Sequence, residues 1–162
     1  MTYIPTPSSV DHPKWKQRNI AIAKYIESNS KVLDLGCGAK NLLSYIDTSY
    51  YTGIDYNSKY ADIDINFNYD FVLPVDDWDY IVCSGLLEYL IDLDHFFKTI
   101  QKNSSTYIFS IMTNNEARIR LNNINAIKTV EKFIDKLEKN FVIENRIMLK
   151  THNLFICKDL KI

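Results

Sequence analysis

The segment from Val32 to Lys40, with the sequence VLDLGCGAK, constrains the fold of this chain more than any other segment. A short apolar strand delivers Asp34 near its end, and Gly36 and Gly38 follow. Two glycines allow a tight turn and leave no Cβ between the backbone and an approaching ligand. In open α/β sheets such a turn leads into a helix whose N-terminus points at the ligand crevice. The segment therefore predicts a parallel α/β sheet with a binding site at the end of this strand. A tight turn without a ligand is the alternative.

Strand-like and helix-like segments alternate along the 162 residues, which is the pattern of βαβ units. Long crossovers between the earlier strands predict parallel pairing. The last two strands are separated by Thr151 and His152, and this short connection predicts an antiparallel hairpin. We therefore predict a mostly parallel, seven-stranded α/β sheet that ends in an antiparallel hairpin. The predicted strands are 31–35, 50–54, 60–65, 79–83, 106–112, 141–149 and 153–158, and the predicted helices are 13–29, 40–46, 92–102 and 127–140.

Length and composition favour one globular domain, which we expect to span 1–162, with an N-terminal helical segment (1–30) before the core sheet (31–162). The 19 basic and 20 acidic residues give a net charge of -1, so the basic excess of a nucleic-acid-binding protein is absent. No apolar run approaches the ~18 residues of a membrane span, and no secretion signal is apparent. Cys37, Cys83 and Cys157 are odd in number and widely spaced, which predicts reduced thiols in a cytoplasmic protein and no metal site.

A second polar position follows the next strand, where Gly53-Ile-Asp55 places a carboxylate 21 residues beyond Asp34. An acidic side chain at the end of the neighbouring strand can accept hydrogen bonds from both hydroxyls of a ribose. The alternative is a local turn that Asp55 begins with Asn57. A nicotinamide-binding turn would need a third glycine at position 41, where this chain has Asn41, and would not carry Asp34.

Together these residues resemble the class I S-adenosylmethionine-dependent methyltransferases, by motif over residues 31–112 and by element order in the closing helix and hairpin. The resemblance implies a three-layer, Rossmann-like methyltransferase fold and S-adenosyl-L-methionine as the cofactor. It further implies that the methionine portion of the cofactor lies against the turn, that Asp55 holds the ribose, and that Tyr56 packs on the adenine. The implied turn residues are Asp34, Gly36, Cys37 and Gly38.

The same resemblance implies a third acidic residue that contacts the adenine amino group. Asp64, followed by Ile65, is the first choice for it, and Asp62 is the second. The segment from Asp79 to Glu88 resembles the family's fourth motif, whose strand end, here Cys83 and Ser84, flanks the sulfonium side of the cofactor.

Two positions depart from the family pattern. Lys40 stands where many relatives have a third glycine, and its charge is unfavourable at a helix N-terminus. We consider two alternatives for Lys40. Its side chain either meets an anion at the cleft, namely the cofactor carboxylate, Asp34 or an acidic acceptor, or it is solvated. Tyr89 stands where many relatives that act on small molecules have a histidine, and it either faces the acceptor or fills the interior.

The acceptor side is less well specified by the sequence. The resemblance implies an acceptor pocket formed by residues 1–15, 85–89 and 113–125. Arg118 and Arg120 are candidates for binding an anionic acceptor, with a polar surface loop as the alternative. No catalytic residue is assigned, because His12, His95 and His152 are scattered and are expected to be surface or satisfied histidines.

The short chain leaves no room for large substrate lids, so we expect a shallow site or one completed by a partner protein or a second subunit. The expected function is in-line methyl transfer to a small-molecule acceptor, such as a sugar, or to a protein side chain. The alternative is a non-catalytic protein of the same fold that acts as a binding partner or scaffold.

Overall fold

The computed structural model describes residues 13–112 and 129–160. Its α-helices are α1 (Pro13–Ala23), α2 (Leu93–Ile100) and α3 (Val130–Glu138). Single 3-10 turns lie at Asn41–Tyr45 and Leu87–Tyr89. The strands are β1 (Ser30–Leu35), β2 (Thr48–Asp55), β3 (Ile63–Asp64), β4 (Trp78–Ser84), β5 (Ser104–Met112), β6 (Phe141–Met148) and β7 (His152–Asp159).

The seven strands form one sheet in the order β3-β2-β1-β4-β5-β7-β6. The pairs from β3 to β5 are all parallel, and β7 is antiparallel to both β5 and β6. This confirms the predicted mostly parallel sheet with a C-terminal hairpin. The order reverses beside β1, and the carboxyl ends of β1, β2 and β4 meet at that point, which is where ligands of open α/β sheets bind.

Helices cover both faces of the sheet because successive residues of each strand point to opposite sides. Leu33 and Leu35 belong to a large core cluster shared with α2 and α3. Val32 belongs to a second cluster shared with α1 and the 3-10 turn at Asn41–Tyr45. The layers are therefore helix, sheet and helix.

Several predicted elements are shorter in the structure, for local reasons. The first helix ends at Ala23 rather than at residue 29, because Tyr25 and Ile26 donate to carbonyls three residues back and tighten the chain. The third strand comprises two residues rather than 60–65, because the Asp62 carboxylate takes the hydrogen bond of the Gly53 amide. The predicted helix at 40–46 is a single 3-10 turn.

Candidate active site

The glycine turn lies at the carboxyl end of β1 and is hydrogen-bonded to β2. Gly36 has φ of 77° and Gly38 has φ of 53°, values that residues with a Cβ rarely adopt. The amides of Gly36 and Cys37 both donate to the carbonyl of Ile54, at 2.8 and 3.1 Å. These bonds fix the turn at the crevice between the two strands.

The Asp55 carboxylate contacts the turn directly. Its Oδ2 accepts from the Gly38 amide at 2.6 Å, and its Oδ1 accepts from the Tyr56 amide at 2.7 Å. A Cβ on Gly38 would meet no atom within 4 Å, so the space on that side of Gly38 is open. Each carboxylate oxygen has a second lone pair, so Asp55 can accept further hydrogen bonds from a ligand at the turn.

Asp34 lies below the turn on the α1 side of the sheet and is 3% exposed. Its Oδ2 accepts a 2.7 Å hydrogen bond from the Tyr51 hydroxyl. Burial raises the pKa of Asp34 to about 6, and the Tyr51 hydrogen bond and the Arg18 charge oppose that rise. Asp34 is therefore a buried carboxylate that is hydrogen-bonded to a tyrosine. It lies next to the other turn residues that the sequence predicts to hold the methionine portion of the cofactor.

The Cys37 side chain points away from the open space. The thiol lies against Gly53, where an added Cβ would come within 2.8 Å of the sulfur. Burial raises the pKa of this thiol far above its usual range, so it stays protonated. Cys37 therefore contributes to the turn through its backbone, whose amide donates to Ile54.

The predicted adenine side lies at the ends of β2 and β3. Asp64 stands opposite Asp55 in the strand register and is exposed, and its Oδ1 accepts from the Asn57 amide at 3.0 Å. The Ile65 amide donates to the Asp55 carbonyl at 3.1 Å. The Tyr56 ring is 40% exposed beside them. The structure thus brings these residues together at one edge of the crevice.

The end of β4 contributes one polar side chain to the other edge. The Ser84 hydroxyl lies 3.3 Å from that of Ser110 on β5. The side chain of Cys83 is fully buried in the larger core cluster, so only its backbone can line the crevice.

Lys40 has an ionic partner inside the protein. Its Nζ lies 2.5 Å from Oδ1 of Asp62 and 5.9 Å from the centre of the Tyr51 ring. The partner is thus Asp62, which is none of the anions considered from the sequence, and the solvated alternative is wrong. Asp62 was the second choice for the adenine contact.

The histidines and Tyr89 occupy different settings. His152 is 2% exposed, and its Nδ1 lies 2.9 Å from the Thr151 hydroxyl. Burial lowers the pKa of His152 to about 4, so it is neutral at pH 7. His95 lies at the surface, 3.4 Å from Asp70. The backbone carbonyl of Tyr89 accepts from the Asn68 side chain at 3.2 Å.

Some predicted acceptor residues lie outside the described residues: 1–12, which include His12, and 113–125, which include Arg118 and Arg120. Within 13–112 and 129–160, no group of three or more His, Cys, Asp or Glu side chains is arranged to hold a metal ion. No helix in those ranges is long and apolar enough to cross a membrane.

The family of this chain follows from comparison with known proteins. Residues 11–138 match a family described as a methyltransferase domain. That match covers most of the 162 residues. The chain is a member of this methyltransferase family. The class I methyltransferase resemblance and the Rossmann-like fold predicted from the sequence are both confirmed.

Two solved structures share the fold of this methyltransferase domain. The N-methyltransferase NodS from Bradyrhizobium japonicum WM9, in complex with S-adenosyl-L-homocysteine, has a TM-score of 0.72 and 15% identity, and the alignment covers 93% of this chain and 90% of NodS. A complex of the Trm112 methyltransferase activator from Haloferax volcanii contains a chain with a TM-score of 0.69 and 11% identity, over 89% of this chain and 87% of that one.

A sequence relative is an uncharacterized protein from Methanocaldococcus jannaschii. It is 28% identical over an alignment of 134 positions, which covers 72% of this chain and 36% of that protein. The chain thus spans about a third of the length of this curated relative.

The cofactor is S-adenosyl-L-methionine, and two features of the methyltransferase domain fit it. Gly38 has open space on one side, and its amide is hydrogen-bonded to a carboxylate that can accept further hydrogen bonds from hydroxyls. On the opposite side, the guanidinium of Arg18 on α1 is 8% exposed and lies close to Gly85, where an added Cβ would come within 2.9 Å of Nη1. Its Nε is buried without a hydrogen-bond partner among the described residues. A buried guanidinium with an unused donor suits a carboxylate ligand.

Arg18, Tyr51 and Glu88 are polar residues near the turn to which the sequence assigned no site role. The Glu88 Oε1 accepts from the Met112 amide at 2.8 Å, and this bond joins the loop after β4 to the end of β5. Burial raises the pKa of Glu88, and the Arg18 charge opposes that rise. The available signal was one arginine at helical spacing between Trp15 and Ile22, on the apolar side of α1.

Proposed function

We propose that this chain is an S-adenosylmethionine-dependent methyltransferase that acts on a small-molecule acceptor, with sugars included. The family membership supports this proposal. The observation that carries it is the hydrogen bond between the Asp55 carboxylate and the Gly38 amide, next to open space at the ends of two adjacent strands. A carboxylate so placed is suited to a ribose.

In this proposal each part of the cofactor has residues of this chain to hold it. Asp55 accepts from the ribose hydroxyls, Tyr56 packs on the adenine, and Asp64 with Ile65 lies at the adenine edge. Arg18 binds the carboxylate of the methionine portion. The remaining contacts come from the turn residues Asp34, Gly36, Cys37 and Gly38 and from the strand end at Cys83 and Ser84.

The chemistry in this proposal rests on orientation. When bound, the cofactor supplies a methyl group that its sulfonium already activates. The protein must therefore hold the acceptor in line and exclude water, and orientation alone can lower a barrier by ~7–11 kcal/mol. His152 is buried against Thr151 with a pKa of about 4, which is a poor match to a general base working near neutral pH.

The acceptor side belongs to the same proposal. A shallow site that a second subunit or a partner protein completes remains our expectation, and the Haloferax volcanii complex is an instance of a related fold bound to an activator. A single domain over 1–162, a cytoplasmic location and the lack of nucleic-acid partners also remain proposals. The three cysteines are free, which is compatible with that location.

Titration calorimetry with S-adenosyl-L-homocysteine tests the proposal. We expect the wild-type protein to bind and Asp55→Asn to bind at least about tenfold more weakly, a loss of ~1.4 kcal/mol. In the variant an NH2 group replaces one carboxylate oxygen, and this group cannot accept a hydrogen bond from a backbone N–H or from a ribose hydroxyl. Asp79→Asn is the matched control, since Asp79 also accepts from a backbone amide, that of Lys31 at 2.8 Å, at the opposite end of the sheet.

The outcomes separate the two candidate functions. Binding by the wild type and by Asp79→Asn, with loss in Asp55→Asn, supports a cofactor site at the turn. A wild-type protein that binds neither S-adenosylmethionine nor its demethylated product would instead act as a non-catalytic scaffold.

A further inference from the structure

The backbone of Lys40 is in a conformation that normally selects glycine. Its φ is 60°, in the left-handed region, where a Cβ is strained. Its amide donates to the Cys37 carbonyl at 2.8 Å, and its carbonyl accepts from the Leu43 amide at 3.1 Å. Lys40 therefore closes the glycine turn and begins the 3-10 turn. This conformation costs a residue with a Cβ ~1–2 kcal/mol.

The Lys40 side chain crosses the surface of β2 at Gly53. The Lys40 Cε would lie 3.0 Å from a Cβ at Gly53, so the stem passes directly over the glycine. The Nζ then reaches Oδ1 of Asp62 at 2.5 Å. The other oxygen of Asp62 accepts from the Gly53 amide at 2.8 Å, and the Asp62 amide donates to the Gly53 carbonyl at 2.8 Å. Asp62 is thus fixed to β2 from both sides. We call Lys40, Gly53 and Asp62 the lysine clasp.

The lysine clasp adds a side-chain connection to the hydrogen bonds that already join the turn to β2. Those bonds run from the Gly36 and Cys37 amides to the Ile54 carbonyl and from the Gly38 amide to the Asp55 carboxylate. The Lys40 Nζ also lies over the ring of Tyr51, whose hydroxyl holds Asp34. We propose that Lys40 is a positioning residue, which through Asp62 holds the glycine turn in the shape that binds the cofactor. This inference rests on the proposed function.

An ion pair elsewhere on β1 provides a matched comparison. Lys31 Nζ lies 2.7 Å from Asp76 Oδ1, with side-chain exposures of 40% and 32%, against 23% and 43% in the lysine clasp. The Lys31 pair lies at the opposite end of the strand from the glycine turn. Loss of the Lys31 pair removes a similar interaction without touching the turn.

The test uses Lys40→Gly, Lys40→Met and the control Lys31→Ala. Glycine relieves the backbone strain, so we expect the melting temperature of Lys40→Gly to equal or exceed that of the wild type. We expect its Kd for S-adenosyl-L-homocysteine to rise about tenfold, which corresponds to ~1.4 kcal/mol. Lys40→Met keeps the stem over Gly53 and removes only the charge, and we expect a smaller rise in the same direction. Lys31→Ala should bind like the wild type.

Hydrogen exchange of the unliganded protein tests the clasp apart from binding. We expect the turn amides of Lys40→Gly to exchange faster than those of the wild type. A Lys40→Gly protein with wild-type exchange, or with a Kd within twofold of the wild type, overturns the inference. If the wild type itself binds no S-adenosyl-L-homocysteine, the proposed function fails and the assignment of the clasp to the cofactor fails with it. Faster exchange in the variant would then report only a local structural role.

Discussion

At the scale of single residues, the pair formed by Asp34 and Tyr51 couples the stability of this protein to pH. Asp34 has an ordinary pKa of 3.8, which burial raises to about 6 in the folded protein. A raised pKa means that the folded state binds a proton more tightly than the unfolded state. The stabilising contribution of that proton is therefore complete below pH 3.8 and is lost as the pH rises through about 6.

Tyr51→Phe should destabilise the protein more at pH 8 than at pH 5. At pH 8 the variant leaves a buried carboxylate without its donor, and a hydrogen bond to a charged group contributes ~1.5–3 kcal/mol. At pH 5 Asp34 is mostly protonated, so only a neutral hydrogen bond, ~0.5–1.5 kcal/mol, is lost. Urea denaturation at the two pH values measures both free energies of unfolding.

Tyr80→Phe is the control for that experiment. The Tyr80 hydroxyl accepts from the backbone amide of Glu27 at 3.4 Å, so its loss should cost the same at both pH values. Equal destabilisation of Tyr51→Phe at pH 5 and pH 8 would show that Asp34 does not titrate between them.

At the scale of elements, the glycine turn separates a structural glycine from a ligand-facing one. A Cβ on Gly36 would lie 2.7 Å from the Cβ of Leu86, whereas a Cβ on Gly38 would meet nothing within 4 Å. Both residues have positive φ, so both substitutions share the strain of a left-handed alanine. The two substitutions therefore differ in the space available to the added methyl group, which meets Leu86 at position 36 and open space at position 38.

Gly38→Ala should lose ~1–2 kcal/mol of stability from backbone strain. Its added methyl group enters the open space next to the glycine turn, so binding of S-adenosyl-L-homocysteine should become undetectable. Gly36→Ala should lose a further ~1–3 kcal/mol because it also overpacks against Leu86. Thermal unfolding ranks the stabilities, and calorimetry measures binding by the Gly38 variant. Wild-type affinity in Gly38→Ala would mean that the ligand does not lie in this space.

At the scale of the whole molecule, an aromatic cluster packs on the α2 and α3 side of the sheet. Phe97 is fully buried at its centre. Its ring lies within 6.2 Å, centre to centre, of four other rings, those of Phe96, Phe109, Phe133 and Phe141. These rings come from α2, α3, β5 and β6, so the cluster joins the parallel half of the sheet to the hairpin.

Phe97→Ala should lower the free energy of unfolding by ~3–5 kcal/mol, because it leaves a cavity that four elements line. Val75→Ala is the control: Val75 is 99% exposed, and surface substitutions of this kind change stability by less than ~0.5 kcal/mol. Urea denaturation measures both. A loss below ~1 kcal/mol in Phe97→Ala would mean that the cluster repacks around the gap.

The sequence predicted the strands and the closeness of the turn to Asp55, because both follow from periodicity and from chain order. Apolar runs identify strands, and adjacent parallel strands place their ends side by side. The lengths of β3 and of the helix after the turn did not follow, because side-chain hydrogen bonds and one left-handed residue decide them. The choice between Asp62 and Asp64 for the adenine contact depends on the register of β3 against β2, which the local sequence does not specify.

Arg18 and Tyr51 escaped prediction for a different reason. An arginine on a helix is usually exposed, so one buried arginine on the apolar side of α1 is not distinguished by periodicity. Tyr51 and Asp34 lie 17 residues apart and meet only because adjacent strands present them on the same face. Such contacts depend on tertiary packing, which single-sequence patterns do not contain.

Because Gly53 has no side chain over which the Lys40 stem must pass, we expect the residues at positions 40, 53 and 62 to vary together among homologous chains. A Cβ there would lie 3.0 Å from the Lys40 Cε and 2.8 Å from the Cys37 sulfur, and without the lysine stem Asp62 loses its counter-ion. We therefore expect homologous chains that carry lysine at this turn to keep both glycine and aspartate at the other two places, and chains with glycine at the turn to vary at the aspartate position.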